Sequence, residues 1–481
     1  MHPTPIDEQL EPPLCVDLDG TLVRTDTLHE SLLAMVRANP LVLFLLPLWL
    51  LRGRAGFKRQ VASRVCLDAA ALPYNQPFLE YLQAQQKMGR KLILVTAADE
   101  DIARNVAAHL GIFGSVLASS GGVNLKGAAK RKALVNAFGQ GQFDYAGDSR
   151  ADLAVWDSAR RTIVVSNSSG FIAKVRRLRT VEREFQSPGA SPRTILRAIR
   201  YKQWVKNILV FVPAIAAHQI FVAAVMIPAT LAFVCFCLAA SAGYLVNDLM
   251  DLSADRFHPE KKLRPFAAGA LAPWMGVAIL LLFLVAAALL SGFLLPAVFS
   301  ASLAAYLVTT VAYSLYLKKE LLLDVVVLAG LYSLRVFAGG TATDVYLSPW
   351  LVAFTVFFFL SLALVKRVSE LQGIRKTGEQ ATRRRAYSVD DLEPLTIMGV
   401  ASGYISCFIV ALYMNSPEMS RQYHNPRWLW MICPIAIYWV SRVWLLAHRG
   451  EVNEDPVLFA THDHASYLLL SLAIVVFALA I

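Results

Sequence analysis

From Ile208 to Ile481 the chain returns repeatedly to apolar stretches close to 20 residues long, each set off by a short charged segment. A helix needs about 20 apolar residues to cross a hydrocarbon core about 30 Å thick, and about nine stretches meet that requirement. They lie at roughly 204–219, 221–249, 273–292, 294–317, 321–342, 347–368, 394–414, 428–446 and 464–481. The pattern predicts an all-α transmembrane bundle of about nine helices, whose first span is short and runs close to the second. Residues 1–181, by contrast, carry charges throughout and only short apolar runs, as a soluble domain does. The overall 56% hydrophobic and 17% charged content therefore averages two unlike parts. Soluble chains usually hold about 45–50% and about 25%. Those values exclude a disordered chain, a collagen-like repeat and a disulfide-dense scaffold. The Gly/Pro/Ser-rich EREFQSPGASP (Glu182–Pro192) reads as the linker, so the expected division is 1–181, 182–192 and 193–481.

Charge orients the bundle. Loops on one side hold Arg256, Lys261, Lys262 and Arg264, then Lys318 and Lys319, then Lys366, Arg367, Arg375, Lys376 and Arg383–Arg385, then Arg449. Loops on the other side offer Arg421 and Arg427. This is the positive-inside asymmetry, and it places the N-terminal part in the cytoplasm of an inner-membrane protein, with the C-terminus outside. The net charge of +11 is thus a signal of topology and phosphate binding. Because the bases sit beside spans, a nucleic-acid partner is not expected. The start, MHPTPIDEQLEPP, is acidic and lacks the apolar core of a secretory signal. The cysteines at 15, 66, 235, 237, 407 and 433 show no metal-ligand spacing, and Cys235 and Cys237 read as small buried thiols inside a span.

In the N-terminal part a short apolar strand, LCVDLDGTL, ends in Asp17, Asp19, Gly20 and Thr21. Carboxylates at a strand's end lie at a sheet edge, where open α/β folds bind ligands. One aspartate can attack phosphorus while the other, two residues on, protonates the leaving oxygen. A second strand, KLILVTAAD, offers the Thr96 hydroxyl to a phosphate oxygen. Lys130 opens a helical stretch, KRKALVNAFG, with Lys126 four residues before it, and YAGDSRADLAVW carries Asp148 and Asp152. Such acids can hold Mg²⁺.

This order, DxDGT, hydroxyl, lysine and GDSxxD, resembles the haloacid dehalogenase-like hydrolases over about residues 12–180. The resemblance implies a Rossmann-like α/β fold with a helical cap at about 24–88. It makes Asp17 the nucleophile and a metal ligand, Asp19 the acid/base, Thr96 and Lys130 phosphate binders, and Asp148 with Asp152 the metal side. Within the cap region lies PLVLFLLPLWLL (Pro40–Leu51), followed by Arg52, Arg54, Lys58 and Arg59. Twelve apolar residues are too few to span. The run is either a buried cap helix or a face that dips into an anionic membrane interface.

At the end of the second span stands GYLVNDLMDLSADRFHPEKKLRPFAAG. Asp248, Asp251 and Asp255 follow i, i+3, i+7, which puts them on one helix face. Acids there, with Asn247, suit Mg²⁺ bridging a diphosphate. Arg256, Lys261, Lys262 and Arg264 follow as phosphate contacts, and His258 reads as structural. The segment resembles the NDxxDxxxD motif of the UbiA-type intramembrane prenyltransferases. RYKQWVKN (Arg200–Asn207), YSLYLKKELLLDVVVLAGLYSLRVFAGG (Tyr313–Gly340) and RGEVNEDPVLFATHDHAS (Arg449–Ser466) look most like the decaprenyl-phosphate phosphoribosyltransferase branch. The aromatic prenyltransferases carry a second aspartate-rich motif at the end of the sixth span. This chain has VKRVSEL there, with Lys366, Arg367 and Glu370, which suits direct phosphate contact.

The resemblance implies transfer of phosphoribosyl from phosphoribosyl diphosphate to a polyprenyl phosphate, with Mg²⁺ as cofactor. Lys206, Asn207, Lys318, Lys319 and Arg335 are further candidate phosphate binders. The fused hydrolase would remove a phosphate monoester, such as the 5-phosphate of the product. The alternatives are prenyl transfer to an aromatic acceptor, a lipid-binding membrane protein with a regulatory head, and a membrane-tethered phosphatase. No motif speaks to prenyl length or oligomeric state.

Overall fold

The computed structural model describes residues 11–51, 53–65, 67–120, 123–186, 189–377, 387–416, 423–452 and 455–480. Arg52, Cys66, Arg383, Arg384, Arg385 and Arg421 lie outside the described residues. The chain forms two compact units. One joins residues up to Ile199 with Leu245–Ile279, and the other joins Arg200–Tyr244 with Leu280–Ile481. The aspartate-bearing segment after the second span packs as part of the N-terminal unit.

That unit is built on a parallel sheet of β1 (Leu14–Val16), β2 (Leu92–Asp99), β3 (Ser115–Ser119), β4 (Asp144–Gly147), β5 (Thr162–Val165) and β6 (Val181–Phe185). The order is β3-β2-β1-β4-β5-β6. Strands covered on both faces read as continuous apolar runs, and the LILV of β2 and TIVV of β5 are buried throughout. Register sets the edge. Val16 pairs with Leu94 on one side and Ala146 on the other. Asp17, Thr96 and Asp148 therefore leave neighbouring strands at the same carboxyl edge, where the strand order reverses and α/β folds bind ligands.

Two expected boundaries move. Glu182–Phe185, assigned to the linker, belong to β6, and the Phe185 ring packs 5.1 Å from Phe78 and 5.3 Å from Tyr81. The helix Gln76–Lys87, inside the expected cap, buries Phe78, Leu79 and Leu82 in the sheet's own core. What remains of the cap is a helix at Thr27–Ala38, a 3-10 turn at Pro40–Phe44, and helices at Leu46–Leu50 and Gly53–Ala62. Asp26 starts the first by accepting from Leu28 N at 2.9 Å. Prolines at 40 and 47 break the apolar run into short turns. Val42 and Trp49 turn inward onto Met35, Phe57 and Val61. Leu41, Leu43, Phe44, Leu48 and Leu51 face outward, so the run is not one buried cap helix.

The segment Leu245–Ile279 is stitched to this unit by arginines. Arg256 reaches Glu30 with both terminal nitrogens, at 3.1 and 2.6 Å, and donates to the Ala71 carbonyl at 3.0 Å. Arg37 donates to Ser253 Oγ at 2.9 Å, and Arg24 to the Ala268 carbonyl at 3.3 Å. Gly269 has φ +69°, and a Cβ there would stand 2.7 Å from Arg24 Cβ, so both conformation and contact call for glycine.

In the second unit and its continuations, seven helices among the described residues are long and apolar enough to cross a membrane. They are Ala223–Met250, Pro273–Leu294, Ala297–Leu315, Leu323–Thr343, Pro349–Lys376, Val389–Met414 and Pro426–Arg449. The first expected span is instead a 3-10 segment, Tyr201–Phe211, followed by a short helix, Val212–Ala216. The last, His464–Ala480, is apolar but shorter than the other seven. Seven of the nine expected spans thus meet the length of a crossing helix.

Candidate active sites

In the head, Asp17 follows β1 directly and Asp148 follows β4. Asp17, Asp148 and Asp152 each offer an oxygen within 4.8 Å of the others. Lys130 stands third in the helix Ala128–Phe138, and its Nζ lies 2.8 Å from Asp17 Oδ1 and 3.7 Å from Asp152 Oδ1. Lys130 therefore occupies the place beside Asp17. Asp152 is held by Tyr145 Oη at 2.7 Å and by the Ser149 amide and hydroxyl at 3.0 and 2.8 Å. It braces the turn that carries Asp148. Asp19 accepts from Thr27 N at 2.8 Å, and buried Thr96 accepts from Ala98 N at 2.9 Å. The Thr96 hydroxyl hydrogen is left to donate.

The electrostatics of this edge favour a cation. Burial lifts Asp17 to about 6, against the pull of Lys130 and with the push of Asp152. Burial, then Asp26, lifts Asp19 to about 7. Burial and Asp17 hold Asp148 well above the carboxylate range. Asp17 and Asp148, neighbouring carboxylates that each raise the cost of charging this edge, carry an electrostatic penalty that a divalent cation relieves. Oxygen ligands are also what Mg²⁺ takes, so the residues present fit that ion.

The membrane aspartates straddle the end of the second span's helix. The helix Ala223–Met250 ends just before Asp251, and a short helix, Leu252–Phe257, follows. Hydrogen bonds of 2.9 Å from Asp251 N to Asn247 O and from Asp255 N to Asp251 O carry the helical path across the junction. Asp248 and Asp255 are buried. Among the described residues the three aspartates do not gather into a metal-sized cluster as the head trio does. Instead Arg264 Nη1 bridges Asp248 at 3.2 Å and Asp255 at 2.5 Å. A guanidinium between two buried carboxylates occupies the electrostatic place of a cation, and carboxylate oxygens are the donors that Mg²⁺ takes.

Several expected phosphate binders have other partners. Arg256 is committed to Glu30. Buried Arg367 donates from Nε to Asp324 at 2.5 Å, from Nη1 to Glu370 and from Nη2 to Tyr313 Oη at 3.0 Å, which engages each of its three nitrogens. Lys261 and Lys262 lie on the turn Lys261–Leu263, and Lys318 and Lys319 on the turn Leu317–Lys319. His258 Nδ1 accepts from Glu260 N at 3.2 Å, which is a structural use.

Lys206, Asn207, Arg335 and Lys366 do come together. Lys206 Nζ lies 2.7 Å and Lys366 Nζ 3.3 Å from Asp455 Oδ2, which also receives the Tyr332 hydroxyl at 3.2 Å. Arg335 donates to Asn207 Oδ1 at 2.9 Å and to Tyr306 Oη at 2.9 Å, and stacks 5.4 Å over the Tyr332 ring. Burial works against charge on Asp455, but Lys206 and Lys366 hold its carboxyl well below the usual range.

Asp455, Tyr332 and Tyr306 were not singled out from sequence. In the sequence Asp455 lies in a stretch that stands out only by its resemblance to the phosphoribosyltransferases, and in the fold it caps Pro456–Ala460. Lys58 belongs to the basic flank of the apolar run, which the sequence leaves as either a buried cap helix or a face toward anionic lipid. Its Nζ donates to the Ala97 carbonyl at 2.7 Å, between Thr96 and Ala98.

Comparison with known proteins matches the head and the membrane half to separate families. The UbiA prenyltransferase family matches residues 208–472, and the haloacid dehalogenase-like hydrolases match residues 14–156. The uncharacterized protein y4nM of Sinorhizobium fredii is 37% identical over 97% of this chain and 91% of its own. A decaprenyl-phosphate phosphoribosyltransferase of Mycolicibacterium smegmatis is 38% identical over 38% of this chain and 59% of its own. The alignment with that transferase thus leaves two-fifths of its length unmatched. A solved UbiA homologue from Archaeoglobus fulgidus bound to GPP and Mg²⁺ overlays with a TM-score of 0.46 at 16% identity, covering 59% of this chain and 99% of its own.

Proposed function

The chain belongs to the UbiA prenyltransferase family and is a multi-pass membrane protein with a haloacid dehalogenase-like head, and from this we propose that it is bifunctional. The membrane half transfers phosphoribosyl from phosphoribosyl diphosphate to a polyprenyl phosphate. The head hydrolyses a phosphate monoester, the 5-phosphate of that product. The observation that carries the transfer reading is the network in which Lys206 and Lys366 share a single carboxylate, Asp455, while Arg335 lies over the ring of Tyr332, whose hydroxyl donates to that carboxylate. Cations in excess inside an apolar bundle suit a phosphorylated substrate. Partial similarity to decaprenyl-phosphate phosphoribosyltransferases supports the donor. Basic loops on one side of the bundle support an inner membrane with the head in the cytoplasm.

In the head, the Asp17 carboxylate attacks phosphorus and the ester P–O bond breaks. Lys130 and Thr96 hold the phosphoryl oxygens. Asp19, with its pKa raised to about 7, keeps a proton for the leaving oxygen and later takes one from the water that opens the aspartyl phosphate. In the transferase a phosphate oxygen of the lipid attacks the anomeric carbon and diphosphate departs. Positioning by the bundle does much of the work. Lysines and arginines near the leaving diphosphate stabilise its charge. Asp17 with Asp148 and Asp152 in the head, and Asn247, Asp248, Asp251 and Asp255 at the span's end, are the residues that would hold Mg²⁺, which would neutralise phosphoryl and diphosphate charge there.

The test incubates the full chain in nanodiscs with Mg²⁺, radiolabelled phosphoribosyl diphosphate and polyprenyl phosphate. Label should enter the lipid fraction, and Asp17→Asn should make a phosphorylated lipid accumulate. No lipid label, with product formed from a prenyl diphosphate and an aromatic acid instead, would replace this reading by aromatic prenylation.

A further inference from the structure

A cavity of about 670 Å³ opens at the carboxyl edge of the sheet, beside Gly20 and Asp148. A phosphate group alone needs a small fraction of that space, which lies within the range of ligand-sized pockets, about 300–1,000 Å³. Its walls differ in chemistry. One carries Arg24, Ser166, Asn167 and Lys174. The other is Gly269, Ala270, Ala272 and Met275, from the segment that follows the aspartate motif and leads into the apolar helix Pro273–Leu294. Arg24 joins the two walls. Its Nη1 donates to the Ala268 carbonyl at 3.3 Å, while its buried Nε has no hydrogen-bond partner among the described residues. A buried guanidinium N–H left open at a cavity wall is costly unless a ligand acceptor meets it. Gly269, which presses against Arg24 at a positive φ, fixes the second wall in place.

We propose that this cavity is the leaving-group site of the head's hydrolase, with its outer wall supplied by the segment from Gly269 to Met275 that packs in the same unit. Its substrate is an amphiphilic phosphomonoester: a polar unit bearing a second anionic group, joined to an apolar chain. The phosphoryl group enters between Asp17, Lys130 and Asp148. The second anion meets Arg24 and Lys174. The apolar chain leaves along Ala270, Ala272 and Met275 toward the start of the helix at Pro273. The head takes its substrate from the membrane because the wall of its site is the root of a membrane helix. This rests on the reading of the head as an active phosphomonoesterase, and it adds what that head selects for.

The full chain in detergent micelles is given two esters with the same reacting group, ribose 5-phosphate and farnesyl-phosphoryl ribose 5-phosphate, and phosphate release is measured. The amphiphile should be preferred in kcat/KM by about tenfold or more, the scale of discrimination by an apolar contact. Met275→Asp, and separately Arg24→Gln, should each cut that preference by about an order of magnitude, while Met275→Leu keeps it. Because both esters are read on the same preparation, partial loss of folded protein cancels in the ratio. Equal use of the two esters by the unsubstituted chain, or a preference that survives Met275→Asp and Arg24→Gln, overturns the proposal and leaves the hydrolase reading intact. Release from neither ester removes the hydrolase reading and the proposal with it.

Discussion

The Glu30–Arg256 pair gives the sharpest test of how the head holds the aspartate motif. Both side chains are buried, at 7% and 8% exposure, and two hydrogen bonds of 2.6 and 3.1 Å join them. With charge centres about 4 Å apart and an effective dielectric of about 20, their attraction is about 4 kcal/mol. Desolvation of both ions offsets much of that, so the pair adds little net stability relative to an apolar pair of the same shape. Removing one partner is another matter, because it strands the other charge, at about 3–5 kcal/mol. Arg256→Met also takes a donor from the Ala71 carbonyl. We expect Arg256→Met and Glu30→Gln each to lower the melting temperature of the full chain and to expose the segment 252–270 to protease. The double variant should cost less than the sum, with a coupling of about 2–3 kcal/mol. The alternative role for Arg256, holding substrate phosphate, predicts something else. Arg256→Met would then raise KM for phosphoribosyl diphosphate while Glu30→Gln left it alone. Additive single effects, or a KM change confined to Arg256, would refute the staple.

Three further predictions concern two other charged sites and the broken apolar run of the cap. Asp17, Asp19 and Asp148 have raised pKa values in the fold, so without Mg²⁺ the head binds more protons folded than unfolded. Its stability should be full near pH 4 and fall as the pH rises through about 6–7; Mg²⁺ or Asp148→Asn should restore melting temperature at pH 8, and a flat profile from pH 5 to 8 without Mg²⁺ would count against the crowded-carboxylate account. Asp455 has the opposite sign: its depressed pKa contributes stability above about pH 4 that is lost on acidification. Asp455→Asn, which leaves Lys206 without its carboxylate, should cost about 3 kcal/mol in nanodisc melting. Spin labels at Leu41, Phe44 and Leu48, all exposed apolar positions, should be relaxed by lipid-soluble oxygen more than by an aqueous nickel chelate; the reverse order would leave the broken apolar run facing water.

Much of the local chemistry was open to sequence reasoning because it depends on neighbours in the chain. DxDGT places two carboxylates at a strand's end whatever surrounds them. The edge shared by Asp17, Thr96 and Asp148 follows from parallel strands of apolar residues, each ending in a polar motif. Long apolar runs announce spans, and seven of those expected have the length. The boundaries that moved were those decided by packing. Glu182–Phe185 looked like linker because their charges mask an edge strand, and only the neighbouring Thr162–Val165 gives them a partner. The 3-10 path at Tyr201–Phe211 likewise leaves no mark in an apolar count.

What the sequence alone determined, then, is the inventory: a phosphate-handling α/β head, a membrane-spanning helical half, and acids and bases in motifs that suit diphosphate chemistry. What only the tertiary structure decided is which base belongs to which acid. In a one-dimensional reading Arg256, Arg264, Arg335 and Arg367 are equivalent cations near spans. In the fold one is bound to a cap glutamate 226 residues away, one bridges two motif aspartates, one leans on an asparagine and a tyrosine, and one is enclosed by Asp324 and Glu370. Lys206 finds Asp455 across 249 residues. The physical reason is that a buried charge must be paired, and the partner is whichever opposite group the packing brings within about 3 Å, a distance that sequence spacing does not encode.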